Sequence, residues 1–174
     1  MTKKAAYNLK PKVSSDNILQ LNDRVILIRR ISKVTAGGKN LRFNALVAVG
    51  DGQGIIGLGL GKAEAVPDAV RKGEANARRN LISIPLAGTT LPHEIIAKYR
   101  ASYVLLKPAV NGTGVVAGAT VRAIMELAGI KDILTKSKGN PNPINLARAT
   151  LEALAMIRDP QTAIEHRKKF SLAE

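Results

Sequence analysis

The chain has 174 residues, 27 Lys and Arg against 13 Asp and Glu, a net charge of +14 and no cysteine. That length makes one medium domain or two small ones, and a small one buries only about 60% of its unfolded surface. The charge points to a polyanionic partner, because every phosphate neutralised releases counterions. The missing cysteines exclude disulfides, thiolate metal sites and cysteine nucleophiles, and fit a reducing cytoplasm.

Residues 1–20 read as a basic arm, with Lys3, Lys4, Lys10 and Lys12 and no apolar signal core. A short apolar run, Val25 to Ile28, opens the first strand. Leu41, Phe43, Ala45, Val47 and Val49 then alternate as a half-buried strand should. Lys33 to Asn40 is expected to be the hairpin loop between them, relaxed by Gly37 and Gly38. After the turn Gly50 to Gly54, Ile55 to Gly61 makes a third strand. Its glycines at 57, 59 and 61 share one face and invite close backbone approach. Pro67 suits the first turn of a helix running to about Ile82, with Val66, Val70, Gly73, Ala77 and Leu81 inward. Residues 21–84 thus form a βββα unit.

Residues 85–92 look like a linker. Within 93–158, His93 to Tyr99 and Ser102 to Lys107 read as strands. Asn111-Gly112-Thr113-Gly114 leads into a helix ending near Gly129, and Ile133 to Lys138 is a third strand. Asn142 caps a last helix with Pro143 at its first position and Ile144, Ala147, Leu151 and Leu154 inward. Residues 159–174 form a tail. The fold class is therefore α+β, two small domains, βββα then ββαβα. Charge is uneven: +9 over residues 1–85 and +5 over 86–174, counting Lys, Arg, Asp and Glu. No apolar stretch of about 18 residues exists, so no membrane helix is expected.

Two glycine motifs imitate phosphate loops. Gly52-Gln53-Gly54-Ile55-Ile56-Gly57 matches the dinucleotide fingerprint, but a strand follows where a helix is needed. Gly61-Lys62 lacks the first glycine and the Ser or Thr of a nucleotide-binding loop. The turn 111–118 could place amides around an anion, which leaves a nucleotide-binding enzyme as an alternative. His93 and His166 are far apart, and no carboxylate pair or metal-ligand cluster is recognisable, so no catalytic residue, metal or cofactor is assigned. The strongest signal is the basic hairpin: Arg24, Arg29, Arg30, Lys33, Lys39 and Arg42, with no acid between Asp23 and Asp51. A solvated edge strand protected by cations is the bland alternative, but such faces usually mix signs. With five aromatics and no Trp, base stacking is a weak option, and backbone phosphates of folded RNA fit better.

Ile31 to Lys39, Phe43 to Gly52, Gly59-Leu60-Gly61-Lys62-Ala63, Val66-Pro67 and Ala77-Arg78-Arg79-Asn80 resemble the first domain of the bacterial small-subunit ribosomal protein five family. Gly112 to Gly118, Asn142-Pro143-Ile144-Asn145 and Arg148-Ala149-Thr150 resemble its second domain, so the likeness covers roughly residues 20 to 158. It implies a double-stranded-RNA-binding-like first domain and a left-handed βαβ crossover in the second. It also implies a structural role that ties subunit head to body near the messenger entry channel and contributes to decoding accuracy. The implied partners are ribosomal RNA and ribosomal proteins four and eight, with no membrane and no small-molecule substrate. A free double-stranded-RNA-binding regulator is the other alternative.

The RNA-contacting candidates are the six hairpin cations with Thr35, Gly37 and Gly38 of the loop, which matches the family segment near the spectinomycin pocket. Lys62, Arg71, Lys72, Arg78 and Arg79 join them from the third strand and first helix. Gly114 and Arg122 match positions at the contact with protein four, and Gly112, Gly118 and Glu126 lie beside them.

Overall fold

The computed structural model describes residues 20–160 and Ile164; the arm and most of the tail lie outside them. β1 (Asn22–Thr35) and β2 (Gly38–Gly50) form a long antiparallel hairpin, followed by β3 (Ile55–Ala63), α1 (Val66–Arg78) and β4 (Leu81–Ser83). The sheet order is β1-β2-β3-β4. The second half runs β5 (Ile95–Tyr99), β6 (Ser102–Pro108), β7 (Val115–Val116), α2 (Ala119–Leu127), β8 (Ile133–Gly139) and α3 (Pro143–Met156), with sheet order β5-β6-β8-β7. β7 pairs parallel to β8 through α2, as a βαβ crossover requires. Among the described residues no helix is long and apolar enough to cross a membrane.

Three expectations need correction. The hairpin loop is far shorter than Lys33 to Asn40: Lys33 pairs with Asn40 and Thr35 with Gly38, leaving Ala36-Gly37 as the turn. Gly38 has φ 133°, a conformation that glycine alone adopts easily. The first helix stops at Arg78, and Leu81, expected on its inward stripe, is instead buried in the added strand β4. In the second half a two-residue strand, β7, separates the glycine turn from the helix.

Glycines on β3 explain how α1 seats. A Cβ at Gly57 would lie 2.4 Å from the Ala77 carbonyl oxygen, at Gly59 2.0 Å from that of Gly73, and at Gly61 1.9 Å from that of Ala69. Ala69, Gly73 and Ala77 recur every fourth residue, so helix backbone rests directly on strand backbone.

The two halves share one core. β2 alternates Ala45, Val47 and Val49 toward α1 with Leu46 and Ala48 toward the second half. Leu46, Ala48, Ile56, Ile82 and Ile84 pack in one cluster with Val104, Leu106, Ile124, Met125, Ile133 and Leu154. The expected linker belongs to it: Leu91 is buried, and the Thr89 carbonyl accepts the amides of Lys131 and Asp132. Because α3 packs on β5, β6, α2 and β3, its buried face is broader than one stripe, taking in Leu146, Ala149, Thr150 and Ala153. Its start is as expected, with the Asn142 side chain accepting the Ile144 amide at 3.2 Å.

Candidate nucleic-acid interface

Residues opposite one another on adjacent strands share a face, and that divides the hairpin cations. Arg29 lies opposite Asn44, and Asn44 opposite Lys62; Ile31 lies opposite Arg42 and Lys33 opposite Asn40. Arg29, Lys33, Arg42 and Lys62 therefore share one face, whereas Arg30, opposite Phe43, and Lys39, opposite Val34, share the other. Towards the turn, Ile31, Lys33, Thr35, Asn40 and Arg42 line a recess of about 240 Å³. Thr35 donates its hydroxyl to the Gly38 carbonyl at 3.1 Å and so holds the tight turn. A Cβ at Gly37 or Gly38 would meet nothing within 4 Å, so the tip stands clear of the body.

The α1 cations also divide. Arg78 binds Glu74 at 2.7 Å and Arg71 reaches Asp68 at 3.8 Å, both pairs lying along the helix. Lys72, Asn76 and Arg79 form a different stripe and, with Lys62 and Leu60, line an open groove of about 430 Å³. Asn76 donates to the Leu60 carbonyl at 3.0 Å, which fixes the groove floor. Arg42 faces Glu64 at 3.4 Å, an exposed pair of small energetic weight.

Arg24 and Glu126 were expected at different interfaces, and the structure makes them each other's partner across the two halves of the chain. The same junction accounts for the false dinucleotide motif. The Gly52 amide donates to the Leu127 carbonyl at 2.9 Å and the Gly54 amide to that of Ala128 at 3.0 Å. These amides satisfy carbonyls that the end of α2 would otherwise leave unpaired, so they form no phosphate cradle.

The turn 111–118 likewise uses its amides internally. One carboxylate oxygen of buried Asp132 accepts the Gly112 amide at 3.0 Å and the Gly114 amide at 2.9 Å. Its carboxyl is held below the ordinary value by the Gly114 amide first, then by the Thr89 side chain, with the Gly112 and Thr113 amides also contributing against burial. An anion already fills the cradle, which removes the structural basis for a nucleotide-binding enzyme. Arg122, exposed on α2, donates to the Val115 carbonyl at 3.2 Å, and Gly112, Gly114 and Gly118 all face open space. His93 is structural, its ring meeting the Glu94 carbonyl and the Arg158 amide. Among the described residues no group of three His, Cys, Asp or Glu could hold a metal. His166 lies outside the described residues.

Sequence reasoning assigned nothing to Lys98, Lys136 and Lys138, which the second sheet brings to one face. The period-two spacing of Lys136 and Lys138 was the available signal.

Residues 21–85 match the family model for ribosomal protein S5, N-terminal domain, and residues 97–167 match that for ribosomal protein S5, C-terminal domain. The chain is 55% identical over 150 residues to small ribosomal subunit protein uS5 of Dehalococcoides mccartyi, covering 86% of this chain and 87% of the relative. It is 55% identical over 139 residues to small ribosomal subunit protein uS5 of Rubrobacter xylanophilus, covering 80% and 70% respectively.

Proposed function

The chain belongs to the ribosomal protein S5 family, a structural constituent of the small ribosomal subunit and not an enzyme, and from that premise we propose how it works there. The β1–β2 hairpin and the Lys62–Lys72–Arg79 groove dock on phosphates of the small-subunit ribosomal RNA. The observation that carries this reading is the projecting hairpin itself. Arg29, Arg30, Lys33 and Lys39 extend beyond the shared core with no acidic partner among the described residues. Phosphate contacts position a protein without reading bases, which suits a face of cations almost without aromatics.

The opposite end meets protein. The loop carrying Gly112 and Gly114 and the exposed Arg122 present small, open backbone held rigid by Asp132. In this reading that edge touches ribosomal protein four, with protein eight near it. The chain thereby ties head to body beside the messenger path of the cytoplasmic ribosome and contributes to decoding accuracy. The shared core supports such a tie, since a bridge transmits position only if its halves are rigidly joined.

Sucrose-gradient fractionation tests the reading. The protein should sediment with small subunits and leave them when salt is raised enough to screen phosphate contacts. Sedimentation only as free protein would favour the non-ribosomal regulator and refute the proposal.

A further inference from the structure

The second sheet buries one face and leaves the other open. Ala97, Val104, Leu106 and Ile133 point into the core, and the alternate residues point away from it. Strand register arranges the outward residues in three rows. Lys98 lies opposite Tyr103, and Tyr103 opposite Lys138. Ile96 lies opposite Leu105, and Leu105 opposite Lys136. In the third row Lys107 lies opposite Leu134, which pairs with Val116, and Glu94 reaches Lys107 at 3.7 Å. Ile96 is 64% exposed, Val116 48% and Leu134 41%. Among the described residues, both helices of this half, α2 and α3, pack on the other side of the sheet.

We infer that this open sheet face is a second RNA-binding surface, one that takes phosphodiester backbone across Lys98, Lys136 and Lys138. The inference rests on the RNA-binding reading above and adds a site to it. Charge complementarity selects the occupant. Four lysines face outward against one carboxylate, Glu94, and that carboxylate sits at the edge beside Lys107. An acidic protein surface could also answer the charge, but the cationic row is built around an aromatic ring. The Lys98 ammonium lies 4.9 Å from the centre of the Tyr103 ring, giving an aromatic face flanked by cations where a base or ribose stacks beside its phosphate. The exposed side chains of Ile96 and Leu134 add flat apolar area for the sugar edge. With the hairpin at the far end of the first sheet, the protein then holds RNA at two separated places.

The test uses the full chain and a transcript of the small-subunit ribosomal RNA. The Lys98→Gln/Lys136→Gln/Lys138→Gln variant should keep its melting temperature, because all three side chains are exposed. Its plot of log binding constant against log salt should be shallower by about two units, since each phosphate contributes roughly 0.7–0.9. Because the chain has no cysteine, an Ile96→Cys variant carrying a hydroxyl-radical-generating iron chelate should cleave that RNA in reconstituted subunits. A steep wild-type slope that the triple variant leaves unchanged, with no cleavage from position 96, would overturn the inference while sparing the hairpin reading. A wild-type slope near zero would overturn both. Loss of subunit incorporation by Ile96→Ser/Leu134→Ser with an unchanged triple-variant slope would assign the face to a protein partner and overturn the inference.

Discussion

The Gly114 amide donates to the Asp132 carboxylate at 2.9 Å, and the same oxygen takes the Gly112 amide at 3.0 Å. This buried bond pair makes an acid from the start of β8 the organiser of a loop some twenty residues earlier. Because the carboxyl is held below its ordinary value of 3.8, ionisation is easier in the folded state. Its contribution is full above pH 3.8 and is lost as pH falls through the lowered folded value. Asp132→Asn should therefore melt lower than wild type at pH 7, and the gap should narrow below pH 3.8. Thermal unfolding from pH 2 to 7 checks this; parallel curves would remove the role given to Asp132.

Glu152 behaves oppositely. It lines a cleft of about 340 Å³ between the halves with Leu58, Ile82, Tyr99 and Arg148, and burial raises its carboxyl above 4.5 despite the opposing charge of Arg148. A raised acid favours its neutral form, so stability is greatest below pH 4.5 and declines as pH rises through the folded value. Glu152→Gln should raise the melting temperature at pH 7 and leave it unchanged near pH 4, measured in the same series.

Glycine positions separate packing from conformation. Gly59→Ala drives a Cβ to within 2.0 Å of the Gly73 carbonyl oxygen and forces α1 off the sheet, at a cost of about 3 kcal/mol or more. Gly37→Ala meets nothing within 4 Å and should change stability by less than about 0.5 kcal/mol. Urea denaturation of both variants measures the contrast, and equal losses would contradict the seating of α1.

Leu46 tests the shared core. It is buried on β2 yet packs with the second half, so Leu46→Ala should cost about 2–5 kcal/mol. Tyr99 and Tyr103 belong to the second half, so their fluorescence should shift with the circular dichroism signal in one transition. Two separated transitions would show independent domains instead.

Much of this fold was legible because its signals are local. The alternation from Leu41 to Val49, Pro67 at a helix start, Asn142 before Pro143 and Gly129 after α2 each state one element's geometry. What was not legible depends on partners distant in sequence. β4 is three residues long and exists because β3 offers an edge for Leu81 to Ser83. The reach of β1 and β2 to the tip comes from cross-strand pairing that polar Lys33 and Asn40 do not announce. Of the candidate site, the cations were found by charge alone, but their division between faces required the register. The pairing of Arg24 with Glu126 spans 102 positions, and no local pattern carries it.

The central claim is that the hairpin grips RNA phosphates, and the salt dependence of binding to small-subunit ribosomal RNA tests it most directly. With six to ten phosphate contacts, wild-type affinity should fall about 10³–10⁵-fold between 50 and 200 mM salt. Replacing Arg29, Arg30, Lys33 and Lys39 together by Gln should flatten the slope by about three units without lowering the melting temperature. An affinity indifferent to salt, or a slope that the four replacements leave unchanged, would contradict the account.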